Sequence, residues 1–287
     1  MQPAPGPHKA AAALVLQLPP IRREVSLTQK EAGEHGRRPA PPDMSEQGAP
    51  IDGAPQTLDR RLFLQLHVFT DCPDTGPVVQ AVRGSGLEAA VYLNLNDPRG
   101  AGVLVMAEDP EVLAGPARDL LVRQPFSSLT PLPDFTMIGR TYASGREQDL
   151  EDWLLRKAKR NALNPELPWA VWYPLKRTGA FNRLSRDEQG KMMIEHAMIG
   201  MSYGEAGLAF DIRLECHGLD RNDNEFVLGL VSSNLHRLSR LVKDMRRTRQ
   251  TSEYMERMGP FFVGRAIWQS PMPAGPGRRP DYPRGGS

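Results

Sequence analysis

Two cysteines, Cys72 and Cys216, are all that this chain of 287 residues contains, and their separation fits no paired-thiol metal or redox motif. Such sparse cysteine use points by default to a reducing compartment, the cytoplasm. Charge of one sign is lacking too. Thirty-six Lys and Arg against 34 Asp and Glu leave a net charge of +2, which argues against a generic nucleic-acid surface. No run of about 18 apolar residues occurs, so no membrane-spanning helix is expected. A short apolar patch, Ala10 to Leu18, has Pro-rich flanks and is a poor match to a secretory signal. The chain also lacks a phosphate-cradling glycine loop, a zinc motif of paired cysteines and a nucleophile elbow.

What is present is an ordered middle between two biased ends. Residues 1–58 are rich in Pro, Gly, Ala and charge and read as a disordered extension, with Met44 a candidate start of translation. Residues 271–287 read as a loose tail of Pro, Gly and Arg. Between them a pattern occurs twice. Arg61 to Phe69 alternates like a strand. A helix is predicted around Pro77 to Arg83, then strands at Ala89–Leu95 and Gly102–Met106 across an Asp97–Gly100 turn. Asp109 and Pro110 open a helix to about Arg123, and Phe135 to Ser144 reads as a closing strand. The order then repeats. Trp169–Tyr173 is a strand, and Ser185 and Glu188 form a capping box for a helix running to His196. Asp211–Cys216 and Glu225–Val231 are paired strands. Asn234 caps an amphipathic helix through about Gln250, and Pro260–Trp268 closes the unit.

Each half is therefore β-α-β-β-α-β, the ferredoxin-like unit. The fold class expected is α+β: two fused ferredoxin-like units (59–145 and 168–270) packed as a dimeric α/β-barrel, with a helical linker at 146–167. Such an architecture hosts unrelated functions and establishes none.

The candidate site residues each have two readings. His196 shares an apolar helical stripe with Met192 and Ile199. It reads as a hydrogen-bonded core histidine or as a neutral imidazole ligand for iron. Tyr173 at a strand end is packing or a buried phenol that can give a proton and an electron. Lys176 and Arg177 are a solvated strand end or a grip on carboxylates. Asp211 and Arg213, two apart on one strand, share a face that meets water or lines a pocket. His217 and Asp220 read as turn chemistry. Arg156–Arg160 and Arg246–Arg249 read as solvated helix ends, and His67 has no assigned role.

At Trp172–Arg177, Met192–Gly200 and Gly259–Gly264, in that order and spacing, the chain resembles the chlorite dismutase-like superfamily. The resemblance spans roughly residues 60–268 and is most specific in the second half. It implies heme b or iron coproheme in that half, an axial ligand at His196 and a homo-oligomer, commonly a pentamer. Separately, the near-balanced charge and the lack of long apolar runs lead to no nucleic-acid and no membrane partner being expected. Tyr173 matches the radical tyrosine of coproheme decarboxylases, with Leu175 where methionine is usual. That reading implies peroxide-dependent decarboxylation of iron coproheme to heme b, with hydrogen peroxide as co-substrate and Arg177 or Lys176 on the propionates. In chlorite dismutases the tyrosine position is aliphatic. Their distal arginine position falls here on Asp211, with Arg213 on the same face. Phe181, Asn182 and Arg183 replace the family's tryptophans. The carboxylate that orients the axial histidine has no counterpart at Gln250 or Thr251, although Glu253 is close. Chlorite dismutation, another peroxidase-like reaction and a non-catalytic heme-binding or heme-sensing module are the alternatives, and a ferredoxin-like oligomerisation module that binds no heme is a fourth.

Overall fold

The computed structural model describes residues 41–272. Two strands come first, β1 (Glu46–Ile51) and β2 (Ala54–Leu58), joined at Asp52 and Gly53, whose φ values are 50° and 81°. Positive φ at both central residues is the hairpin geometry that an Asp-Gly pair favours. The expectation of disorder through residue 58 is corrected here. The turn dipeptide was present but lay in Pro-rich sequence without apolar alternation. The rest of the extension (1–40) and the tail (273–287) lie outside the described residues.

The first half follows as β3 (Phe63–Thr70), α1 (Gly76–Gly84), β4 (Glu88–Asn94) and β5 (Ala101–Ala107). A wide π turn (Leu113–Ala117) then leads into α2 (Arg118–Leu121), and the short strands β6 (Thr130–Pro131) and β7 (Met137–Arg140) close the unit. The closing strand starts later than expected because Pro133 opens a 3-10 turn through Phe135, and it ends four residues earlier, at Arg140. The linker is helical as expected, with a π turn (Asp152–Arg156) and α3 (Lys157–Ala162).

The second half comprises β8 (Trp169–Arg177), α4 (Gly179–Asn182), α5 (Arg186–Glu205), β9 (Phe210–Glu215), β10 (Phe226–Ser232), α6 (Leu235–Met245), α7 (Arg249–Tyr254), β11 (Met255–Met258) and β12 (Phe262–Gln269). The capping box is formed as read: Glu188 N–H donates to Ser185 Oγ, and the Glu188 carboxylate accepts from Ser185 N–H. α5 runs nine residues past His196, correcting the expectation of a helix end there. Gly200 and Gly204 stay helical, and the stop comes at Gly207, where φ is 63°.

Strand order within the first half is β7-β3-β5-β4 and within the second β12-β8-β10-β9. Each is the fourth-first-third-second order of a ferredoxin-like sheet. β4 pairs with β12 over Ala90–Asn94, and β7 meets β9 at one pair, Arg140 with Glu215. Those two links, with the β8–β10 pairing, close eight strands into a ring. All these elements belong to one unit beginning at Met44.

Strand alternation sorts side chains to two sides. Leu64, Leu66 and Val68 of β3, Trp172 of β8, Ile212 and Leu214 of β9 and Phe262 of β12 fill the ring. Backbones pass close to the large rings: a Cβ at Gly229 would lie 2.5 Å from the Trp172 indole. The outer faces carry separate apolar clusters. In the first half Phe69, Val103 and Phe126 lie under the helices. In the second, Val171, Tyr173, Leu175 and Leu230 meet Leu238 and Leu241 of α6 and Ile199 and Tyr203 of α5. Both cysteines are free and buried. No helix among the described residues is long and apolar enough to cross a membrane.

Candidate heme site on the outer face of the second half

Tyr173 lies on the outer face of β8, and the register sets its neighbours. Leu228 of β10 stands opposite both Tyr173 and Arg213. The row Tyr173–Leu228–Arg213 thus crosses three strands, placing the phenol and the guanidinium two strand spacings, about 10 Å, apart. Asp211 lies in the adjacent row, opposite Leu230. Tyr173 is buried and stacks on Phe261, ring centroids 4.5 Å apart and planes at 21°. Burial raises its phenol pKa well above the usual range, so the ring stays protonated in ordinary buffers.

α5 carries His196 beside this face. The imidazole is half-buried, and burial together with the nearby Arg213 cation lowers its pKa, favouring the neutral ring. Its Nδ1 lies 3.2 Å from Thr248 Oγ1. The Thr248 hydroxyl donates its single proton to the Met245 carbonyl at 2.8 Å, so its oxygen accepts from His196 Nδ1–H. That assignment leaves the Nε2 lone pair free. A neutral imidazole with one nitrogen hydrogen-bonded and the other open is the donor an iron porphyrin takes. The apolar surroundings suit a macrocycle, so the residues present fit the group.

Thr248 was not legible in the sequence. It sits 52 residues from His196, in the break between α6 and α7, where one helix to Gln250 was expected. The break has a local cause. Thr248 occupies an N-cap position with extended backbone, but its hydroxyl caps nothing, being committed to Met245 and His196. Glu253 does not take the orienting role. It pairs with Arg249 at 2.9 Å in solvent.

Arg213 is held from two sides. Its Nε donates to Asp211 at 2.8 Å, and its guanidinium lies 4.7 Å from the Trp153 ring. Asp211 also accepts from Lys157 of α3 at 3.0 Å, and these two cations hold its carboxyl below the usual carboxylate range. The linker helix thereby fixes Arg213 above the outer face. Tyr142, which sequence reasoning passed over, is half-buried near Arg213 and packs 5.8 Å from Phe226.

The two basic residues after Tyr173 part company. Arg177 keeps to its face but bonds Glu225 at 3.0 Å, with its guanidinium 4.5 Å from the Phe181 ring. Lys176 has the opposite strand parity and pairs with Asp223 at 2.5 Å. The cation nearer Tyr173 is Arg246, whose guanidinium lies 5.9 Å from the Phe261 ring that stacks on the phenol. Reading Arg246–Arg249 as a solvated helix end concealed it. Asp220 is turn chemistry, as expected: its carboxylate accepts from Asn222 N–H, Asn224 N–H and the Asn224 amide.

A family model described as chlorite dismutase matches residues 137–267, from β7 through most of β12. Solved structures share the fold. A protein described as a novel heme-binding protein from Thermus thermophilus is 19% identical with a TM-score of 0.58, the match covering 74% of this chain and 92% of that one. A variant chlorite dismutase from Candidatus Nitrospira defluvii, in complex with cyanide, is 16% identical with a TM-score of 0.56, covering 75% and 92%. The enzyme from the same organism with imidazole is 16% identical with a TM-score of 0.55, covering 75% and 93%. At these identities the likeness is one of fold. The match over residues 137–267 and the shared fold make this chain similar to chlorite dismutase-like proteins.

Proposed function

We propose that this chain is a heme-dependent oxidoreductase of the coproheme decarboxylase kind, acting on iron coproheme with hydrogen peroxide. The observation that carries the reading is the buried Tyr173 phenol on the outer face of β8, beside the helix bearing His196 and within reach of Arg246. His196 holds the iron through Nε2, and Thr248 fixes the ring plane and tautomer. The bound porphyrin iron supplies the redox chemistry, and the chain positions it. Arg246 binds a propionate next to Tyr173, with Arg177 further along the same face. Lys176, tied to Asp223 on the other parity, takes no part. Tyr173 moves a proton and an electron from the propionate edge. For each propionate, one hydrogen peroxide takes up two electrons and ends as two waters, while the side chain leaves carbon dioxide and becomes vinyl.

The test is a Soret titration of the protein and its His196→Ala variant with iron coproheme, followed by peroxide and mass analysis of the porphyrin. Saturable binding lost in the variant, with mass losses for two carboxyl groups, is expected. Tyr173→Phe should bind normally and fail to decarboxylate; wild-type turnover in that variant overturns the mechanism.

Chlorite dismutation is the second reading, and one observation favours it. Arg213, steadied by Asp211 and Trp153, is a cation suited to an oxyanion. Chlorite-dependent oxygen release, lost in Arg213→Ala, would select it.

A further inference from the structure

A cavity lies in the first half, on the outer face of its sheet. It measures about 540 Å³, within the range of small-molecule sites. Its floor is the outer face of β3, where Gln65, His67 and Phe69 alternate. Leu113, Leu121 and Phe126 wall it, and Arg118 stands in solvent at its edge. The π turn over residues 113–117 forms part of its roof, and such turns recur at functional sites.

Three observations ask for a ligand. First, the His67 imidazole and the Gln65 side-chain amide, both half-buried, face the cavity and make no side-chain hydrogen bond among the described residues, so both are open to a ligand. Second, burial lowers the His67 pKa to about 4, so the ring is neutral and offers one donor and one acceptor. Third, the place is the structural counterpart of the candidate heme face. His67 is the fifth residue of β3 and Tyr173 the fifth of β8, the first strands of two halves with the same strand order.

We infer that this cavity is a second binding site, for a small aromatic carboxylic acid with a polar group at its far end. The ring packs between Leu113 and the tilted Phe69–Phe126 pair, whose centroids lie 5.3 Å apart. The far polar group meets His67 and Gln65. The carboxylate reaches Arg118, whose own ion pair to Asp119 is long at 3.9 Å and exposed.

Fluorescence titration of the full chain tests this with three probes: 6-hydroxy-2-naphthoate, 2-naphthoate and 2-naphthol. The first should bind saturably and tightest. His67→Leu should weaken the two hydroxyl probes about tenfold, the loss of one good hydrogen bond, and spare 2-naphthoate. Arg118→Ala should weaken both carboxylates several-fold and spare 2-naphthol. Leu121→Trp should block all three. Iron coproheme binding should be unchanged in every variant, which separates this site from the heme reading. If His67→Leu does not fold, Arg118→Ala at an exposed position decides alone. Absence of saturable binding, affinities unmoved by these changes, or displacement of the probe by iron coproheme overturns the inference.

Discussion

The two halves share one sheet order and differ in what stands on its outer face. In the first, the face carries a neutral imidazole and an amide without side-chain partners among the described residues, under a helix loosened by a π turn around Pro116. In the second, the same place carries a phenol stacked on Phe261, and the imidazole sits on the covering helix with its Nδ1 committed to Thr248. One strand order thus supports two kinds of site. Which residue occupies the fifth position of the first strand, and what covers it, decides the chemistry. The inward face, by contrast, is shared, because the ring has one core.

The sharpest way to break this comparison is to remove each histidine. His196→Ala should abolish the Soret shift with iron coproheme, and His67→Ala should leave it intact; loss in both would mean that the halves are not independent. Next in size is Trp172→Ala. The indole is buried in the common core against Gly229, so denaturant unfolding should show a loss of about 3–5 kcal/mol. Both halves should melt together.

The third effect depends on pH. Folded His67 has a pKa of about 4, whereas the unfolded ring titrates near its ordinary value of 6.5. As pH falls through 6.5 the unfolded state takes up the proton first, so stability is lost progressively until about pH 4. The loss should reach about 2–3 kcal/mol, and unfolding curves of His67→Gln should be flatter across that window. Thr248→Val should weaken iron coproheme binding about 10- to 100-fold, as removal of such an orienting partner does elsewhere. An unchanged dissociation constant would deny it that role. At the small end, Lys176→Ala should leave porphyrin affinity and the unfolding midpoint within error, since its partner Asp223 is 85% exposed.

Much of this fold was legible because strand alternation is local. Leu64, Leu66 and Val68 point one way and Gln65 and His67 the other, and the sequence shows that directly. Ser185 and Glu188 announced α5 for the same reason. His196 and Tyr173 could be singled out through the resemblance, whose motifs surround them. What could not be read were partnerships across the chain. Thr248 meets His196 only because α6 stops at Met245, and Arg246 reaches Phe261 only by that same break. The hairpin at 46–58 was hidden by composition, although Asp52 and Gly53 carried its turn. The π turn at 113–117 had no local mark beyond Pro116.

The ring's two joins are unequal, and that gives the barrel a strong seam and a weak one. Between β4 and β12 the ladder is long, but between β7 and β9 it is the single pair Arg140–Glu215. The weak seam is clasped by charge. Arg140 bonds Glu215 and, on its other side, Glu46 of the hairpin, each at 2.9 Å. Gln56 of β2 adds a bond to the Glu147 carbonyl at 3.1 Å. The segment that composition marked as disordered thus acts as a strap across the barrel's natural line of opening. A chain cut after residue 58 would keep both sheets and lose the buckle between them.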